Sequence, residues 1–241
     1  MTKFIIILLL IIVICILIRI HKAELFTMYD NFEYSDKLSV ENIKNLKLGQ
    51  KKMTTILKNV DAICRKHNIK YWCIAGTLIG AMRHSGWVPW DGDVDIGMLR
   101  EDYDKFKIYA QRELPSHIEL TEPKNKPCYK IRDNNTHYKY TKFGYNWDLN
   151  KGAQMDIFIF NRTKDNNIKG LISSSKGKST VSDSDIFPLK ELEFDGISVY
   201  VPNKYKKLSI DLWGSYPPKL IPVEKRFPHE GNIDPHKPYT K

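Results

Sequence analysis

The sequence predicts an α+β domain, a small mixed sheet covered by helices, preceded by one N-terminal transmembrane helix. Three observations carry this. Segments of helical apolar spacing alternate with short β-branched and aromatic runs between residues 48 and 213. An unbroken apolar run, residues 4–18, stands ahead of them between Lys3 and Arg19. The chain has 241 residues, of which 12% are aromatic, enough for one packed core of roughly 200 residues.

The N-terminal run falls short of the ~20 residues of a comfortable span, and its length also fits a signal-peptide core. No small-x-small cleavage pattern follows; Ile20, His21, Lys22, Ala23 and Glu24 come next. An uncleaved signal anchor over 1–22 is therefore expected. The polar stretch 23–47 reads as a stem or linker. The apolar residues Leu48, Met53, Ile56, Leu57, Val60, Ile63 and Cys64 follow helical spacing and predict a helix over 48–66. Residues 69–74 read as a strand, and 78–84 as a short helix after the Gly76-Thr77 turn. A strand at 94–98 and a helix at 100–114, closed by Pro115, come next. Residues 129–132 and 154–160 read as strands. Residues 161–185, rich in Ser, Lys, Asn, Asp and Gly, read as an exposed loop. Its stretch 173–179 only mimics a phosphate loop, because the first Gly of that motif is missing. Asp195-Gly196 predicts the turn of a hairpin within 188–200. A short helix over 203–213 and a Pro- and Lys-rich tail over 221–241 complete the chain.

Composition narrows the function classes. The formal net charge of +10 favours anionic partners, although the lysines are spread along the chain as on any basic surface. The four cysteines do not form a disulfide scaffold, and no CxxC spacing marks a zinc site. Cys64 and Cys73 sit among apolar residues, as buried thiols do; one disulfide is the alternative in an oxidising compartment.

The chemistry concentrates in residues 76–97, GTLIGAMRHSGWVPWDGDVDIG. Asp93 and Asp95 alternate with Val94 and Ile96, so a strand places both carboxylates on one face. Two like charges side by side call for a cation between them, and an oxygen-only donor set suits Mg²⁺ or Mn²⁺. Asp156, which opens a later apolar strand, is a third candidate; a strand-entry cap is its structural alternative. Backbone N–H groups at Gly76 and Thr77, at a helix N-terminus, suit phosphate oxygens. Arg83, further along that helix, could add a bidentate contact. Trp87 and Trp90 read as core residues rather than ligand platforms, and Asp91 as a turn residue.

The block GTLIGAMRHSGWVPWDGDVDIGMLREDYDKF (residues 76–106) resembles the signature of the LicD/fukutin family, which has the polymerase β-like nucleotidyltransferase core. The similarity continues through Gln154-Met155-Asp156-Ile157-Phe158 and from Leu192 to Gly214, and covers about residues 50–220. The expected catalytic domain is therefore 48–220. Gly92 departs from the family pattern, which often has three consecutive acidic residues in this block.

The resemblance implies a phosphotransferase that moves a phospho-alcohol, such as phosphocholine or ribitol phosphate, from a CDP-activated donor to a glycan hydroxyl. It implies Asp93, Asp95 and Asp156 as catalytic and metal residues, with Asp156 a ligand or a base on the acceptor. It implies donor-phosphate contacts at Gly76 and Thr77, to which Arg83 and Arg132 are added. The expected partners are the CDP-alcohol, the glycan or glycoconjugate acceptor and a membrane, with no nucleic acid. The expected location is a single-pass membrane protein with its catalytic domain on the lumenal or extracytoplasmic side. Two other classes share parts of the pattern. One is a DxD-type glycosyltransferase, which lacks the Gly-Thr turn and helix just before the aspartates. The other is a non-catalytic, membrane-tethered nucleotide- or glycan-binding module.

Overall fold

Short strands carry the site, and two rules explain how they are built: side chains alternate across a strand, and strand pairing fixes which residues stand abreast. The computed structural model describes residues 12–14, 32–122, 128–142, 145–147, 152–170, 180–228 and 232–236. Residues 12–14 are helical, and the chain divides into units at Tyr34/Ser35. The expected membrane span otherwise lies outside the described residues. Among the described residues, no helix is long and apolar enough to cross a membrane.

In the second unit, α1 (Val40–Lys66) begins well before the periodic residues that announced it. Ser39 caps it by accepting the Asn42 N–H at 3.1 Å. Its buried residues Leu46, Met53, Ile56, Leu57, Val60, Ile63 and Cys64 form one stripe. Asn68, at φ 52°, turns the chain in the left-handed region, and the Ile69 N–H bonds to the Cys64 carbonyl at 2.8 Å. The chain then runs through β1 (Tyr71–Cys73), α2 (Ala75–His84), β2 (Val94–Leu99) and α3 (Arg100–Glu113). Next come β3 (Ile118–Thr121), β4 (Cys128–Asp133), β5 (His137–Lys142), β6 (Tyr145–Trp147) and β7 (Gln154–Arg162). Then follow β8 (Asn167–Lys169), β9 (Thr180–Ser182) and α4 (Asp183–Ile186). The chain closes with β10 (Lys190–Phe194), β11 (Ile197–Val201), α5 (Tyr205–Trp213) and β12 (Asn232–Asp234).

The main sheet runs β1-β2-β7-β4-β3, with β8 joined to β7 and β9 to β8. Among the described residues, only β2 and β7 of this sheet pair in parallel; its other pairs are antiparallel, so the sheet is mixed as expected. One face is apolar along its length: Val94, Ile96 and Met98 stand beside Met155, Ile157 and Ile131, all fully buried. Helices α1 and α3 cover it. Tyr71 donates to Asp61 of α1 at 2.8 Å, and Tyr103 of α3 stacks on Tyr129 at 4.3 Å. The other face is divided. At one end Trp72, Leu99 and Phe160 pack with Leu208 and Leu212 of α5; the other end holds the acidic residues.

Several expectations are corrected. Residues 161–185 are not one exposed loop: β8, β9 and α4 lie within it, and Ile168 and Val181 are buried. The 173–179 stretch lies outside the described residues. The Pro- and Lys-rich tail, whose composition reads as a segment wrapping the surface, also joins the fold, because β12 pairs with β5 and Ile233 is buried against Gly49. The hairpin holds as expected, with Asp195 at φ 51° and Gly196 at φ 81° forming its turn. Cys64 and Cys73 are free, buried thiols, and burial raises the pKa of both.

Candidate active site

Strand register assembles the carboxylates. Asp95 of β2 stands opposite Asp156 of β7, and Asp156 stands opposite Lys130 of β4. The row therefore reads Asp95, Asp156, Lys130 across three adjacent strands, with all three side chains on one face. One step earlier, Gln154 stands opposite Arg132. Asp93 precedes β2 by one residue and shares the face of Asp95. One oxygen from each of Asp93, Asp95 and Asp156 lies within 4.8 Å of the others. Two neighbouring aspartates and a third from a distant strand thus converge on a volume that a single hard cation could fill.

The Gly-Thr turn reaches this cluster because β1 and β2 are antiparallel. Cys73 pairs with Ile96, so the chain leaving β1 passes the beginning of β2. The Ile74 N–H bonds to the Asp95 carbonyl at 3.1 Å. Thr77 lies in the first turn of α2, and its hydroxyl accepts the Asp95 N–H at 2.8 Å. Thr77 is 2% exposed. Its oxygen is thus engaged in fixing the backbone of a site aspartate, a role that sequence spacing did not disclose.

Gly76 faces the other way. A Cβ there would lie 1.9 Å from the Asp91 Oδ2, so only glycine lets that carboxylate approach the helix N-terminus. Asp91 is buried, and its N–H closes a turn to the Val88 carbonyl at 2.9 Å. Gln50 of α1 donates to the carbonyls of Pro89 and Asp91 at 3.2 and 2.9 Å and holds this loop. Gly76 and Asp91 also form one wall of a cavity of about 370 Å³, with Arg83, Trp90, Lys219 and Lys225 among its other lining residues.

The two arginines part company. Arg132 stays on the carboxylate face, two residues from Lys130. Arg83 sits at the far end of α2 and donates to the carbonyls of Pro218 and Lys219 at 2.9 and 3.2 Å. Burial, with Arg226 nearby, lowers its pKa. Its Nε also donates to the His84 Nε2 at 2.8 Å. Burial first, then Arg83, lower the His84 pKa from 6.5 to about 4, so the ring is neutral near pH 7.

Trp87 and Trp90 are both buried, as expected of core residues. Trp87 donates to Thr54 at 2.9 Å, and Trp90 lies under Arg226 at 5.2 Å. Sequence reasoning missed Lys130. Its Nζ lies 2.6 Å from both Asp156 oxygens, and the residue is 7% exposed. The available signal was its place in a predicted strand, one residue from an apolar neighbour on either side, where a lysine is costly unless paired.

The fold and site define a class: a mixed α+β domain with carboxylates from two parallel strands clustered beside a helix N-terminus. Residues 68–204 match the family described as LicD/FKTN/FKRP, nucleotidyltransferase domain. The chain belongs to that family. It is 32% identical to an uncharacterised protein of Rickettsia typhi over 168 residues, covering 68% of this chain and 47% of that protein. A second uncharacterised protein, from Rickettsia prowazekii, is 30% identical over 69% of this chain and 56% of its own length. The chain thus spans about half the length of these curated relatives. The lipopolysaccharide cholinephosphotransferase LicD of Haemophilus influenzae is 41% identical over 80 residues, covering 32% of this chain and 30% of LicD. The human ribitol 5-phosphate transferase FKRP is 50% identical over 34 residues, which is 14% of this chain and 7% of FKRP. Among solved structures, the lincosamide adenylyltransferase LnuA aligns at TM-score 0.41 and 12% identity, covering 73% of this chain and 90% of LnuA.

Proposed function

We propose that this chain is a metal-dependent phosphotransferase that moves a phospho-alcohol group from a CDP-activated donor to a glycan hydroxyl. The observation that carries the proposal is the convergence of Asp93, Asp95 and Asp156 on one sheet face beside the Gly76-Thr77 turn. Membership of a family that includes a cholinephosphotransferase and a ribitol 5-phosphate transferase supports the reaction class.

The donor set fits the implied cation. Three carboxylates offer only hard oxygens, and their spread of 4.8 Å needs a small closure to meet the ligand distances of Mg²⁺ or Mn²⁺. Asp93 and Asp95 would hold the ion, with Asp156 completing the set. When bound, such an ion neutralises the donor diphosphate and polarises the reacting phosphorus. The rest falls to the protein. The N-terminus of α2 beside Gly76, which the Asp91 carboxylate also approaches, would offer N–H groups to phosphate oxygens. Arg132 lies on the carboxylate face and can bind the charge that builds on the equatorial oxygens. The cavity beside Gly76, with its tryptophan and cationic side chains, suits the nucleotide part of the donor. The acceptor oxygen forms a bond to phosphorus as the bond to the departing CMP oxygen breaks, and Asp156 serves either as the ligand that completes the ion's set or as the base that takes the hydroxyl proton.

The membrane reading rests on the apolar run 4–18 and its basic flanks alone. That run, together with the glycan acceptor proposed above, is the ground on which we propose an extracytoplasmic membrane surface for the domain. The test of function is Mn²⁺-dependent CMP release by the full chain from a panel of CDP-alcohols with glycan acceptors, compared with Asp93→Ala. Release from a CDP-alcohol, lost in a folded Asp93→Ala, supports the proposal. Turnover of nucleotide-sugars in its place moves the chain to the glycosyltransferases, and metal-dependent nucleotide binding without turnover makes it a binding module.

A further inference from the structure

Lys130 has no place in the chemistry above, yet it holds a carboxylate of the site. Its Nζ lies 2.6 Å from both oxygens of Asp156. Each residue is 7% exposed. The register of β4 against β7 stands the two abreast, so the sheet itself builds the contact. Leaving either charge buried alone is costly, and the pairing prevents this.

The same carboxylate is one of the three whose oxygens lie within 4.8 Å of one another. An ion that takes Asp156 as a ligand sits about 2.1 Å from one of its oxygens. The ammonium touches both oxygens at 2.6 Å, so ion and ammonium would then be no more than about 4.7 Å apart, whichever oxygen is used. That bound holds wherever the ion lies relative to Asp93 and Asp95. At such a separation, in a buried setting, a divalent ion and an ammonium repel strongly. Asp156 therefore cannot hold both at full strength. The lysine stem is flexible, and the donor's phosphates, arriving with the ion, would offer its ammonium another partner.

We propose that Lys130 is a stand-in cation. It pairs with Asp156 before the divalent ion binds and gives that carboxylate up to the ion. This rests on the metal-dependent reading above, with Asp156 as a ligand of the ion. Lys130 is a positioning residue: it keeps a buried carboxylate compensated and in place, and lowers metal affinity by doing so.

The test replaces the ammonium with an apolar chain of similar length, Lys130→Met, in the full-length protein, with Mn²⁺ as the probe. Free Mn²⁺ is followed by its paramagnetic resonance signal, and only binding lost in Asp93→Ala is counted. Lys130→Met is expected to bind Mn²⁺ about tenfold or more tighter than wild type, because the competing charge is gone. It is also expected to melt below wild type without metal and to recover most of that loss in saturating Mn²⁺, since the ion then compensates Asp156. Unchanged or weaker Mn²⁺ affinity in the variant overturns the inference. So does a melting deficit that Mn²⁺ leaves in place, the result a permanent ion pair would give. Wild type supplies a measurement that does not depend on how Lys130→Met folds. The ammonium proton resonance of Lys130, assigned by its absence in Lys130→Arg, should be protected from exchange without metal and lose that protection in saturating Mg²⁺. Protection kept in saturating Mg²⁺ overturns the inference and leaves the phosphotransferase reading intact. No Asp93-dependent Mn²⁺ binding by wild type overturns both.

Discussion

Replacing Thr77 with valine separates two roles for that residue. Thr77 is 2% exposed, and its hydroxyl accepts the Asp95 N–H at 2.8 Å. Valine matches threonine in shape but offers no acceptor, and at this burial water cannot readily replace it. Leaving a buried N–H unpaired costs about 1–3 kcal/mol. In a domain of this size, 1 kcal/mol lowers Tm by roughly 2–4 °C, so Thr77→Val should melt roughly 2–12 °C below wild type. Thr77→Ser keeps the oxygen and should recover most of the loss. Because the bond fixes the backbone of Asp95, Thr77→Val should also weaken Mn²⁺ binding, whereas a direct phosphate ligand would change only the donor KM. Differential scanning calorimetry with a Mn²⁺ titration decides. A Tm within about 1 °C of wild type, with unchanged Mn²⁺ affinity, would refute the reasoning.

Two further predictions concern the same helix. His84 is buried and neutral, with its pKa lowered from 6.5 to about 4. The unfolded chain therefore binds a proton in this interval that the folded chain resists. The stability associated with the neutral ring is complete above pH 6.5 and is lost as pH falls towards about 4. Urea midpoints measured across this range should fall less steeply in His84→Gln than in wild type; parallel slopes would contradict the assignment. Gly80→Ala should destabilise by about 1–3 kcal/mol, because the new Cβ is crowded by backbone on two sides. It would lie 2.2 Å from the Gly86 carbonyl and 3.1 Å from the Val88 nitrogen. A wild-type urea midpoint would show that the Gly86 loop yields freely.

Much of the site was legible in order along the chain. The alternation of Asp93 and Asp95 with Val94 and Ile96 placed two carboxylates on one face. The apolar run after Asp156 marked a second strand, and Asp195-Gly196 marked a hairpin turn. These signals are local, and local signals survive in sequence because strand alternation and turn geometry act over a few residues. The missed features are those that neighbours decide. Strand β3 and the short strands in residues 161–185 have too few residues for their own pattern and exist because a sheet edge pairs with them. Helix α1 starts at Val40, since Ser39 caps it ahead of the periodic stripe.

What the sequence by itself determined is the inventory: a Gly-Thr turn, three aspartates, their order, and the family they mark. Only tertiary structure decided their relations. Antiparallel pairing of β1 with β2 turned Thr77 toward the Asp95 backbone. Packing of α2 against the 218–219 segment drew Arg83 to those carbonyls, in the wall of the cavity beside Gly76. The register of β4 against β7 set Lys130 on Asp156. Register is a relation between distant segments, and one residue of slip would send Lys130 to the opposite face. No spacing along the chain encodes that choice; the burial of Ile131 with Met155 and Ile157 on the apolar face does.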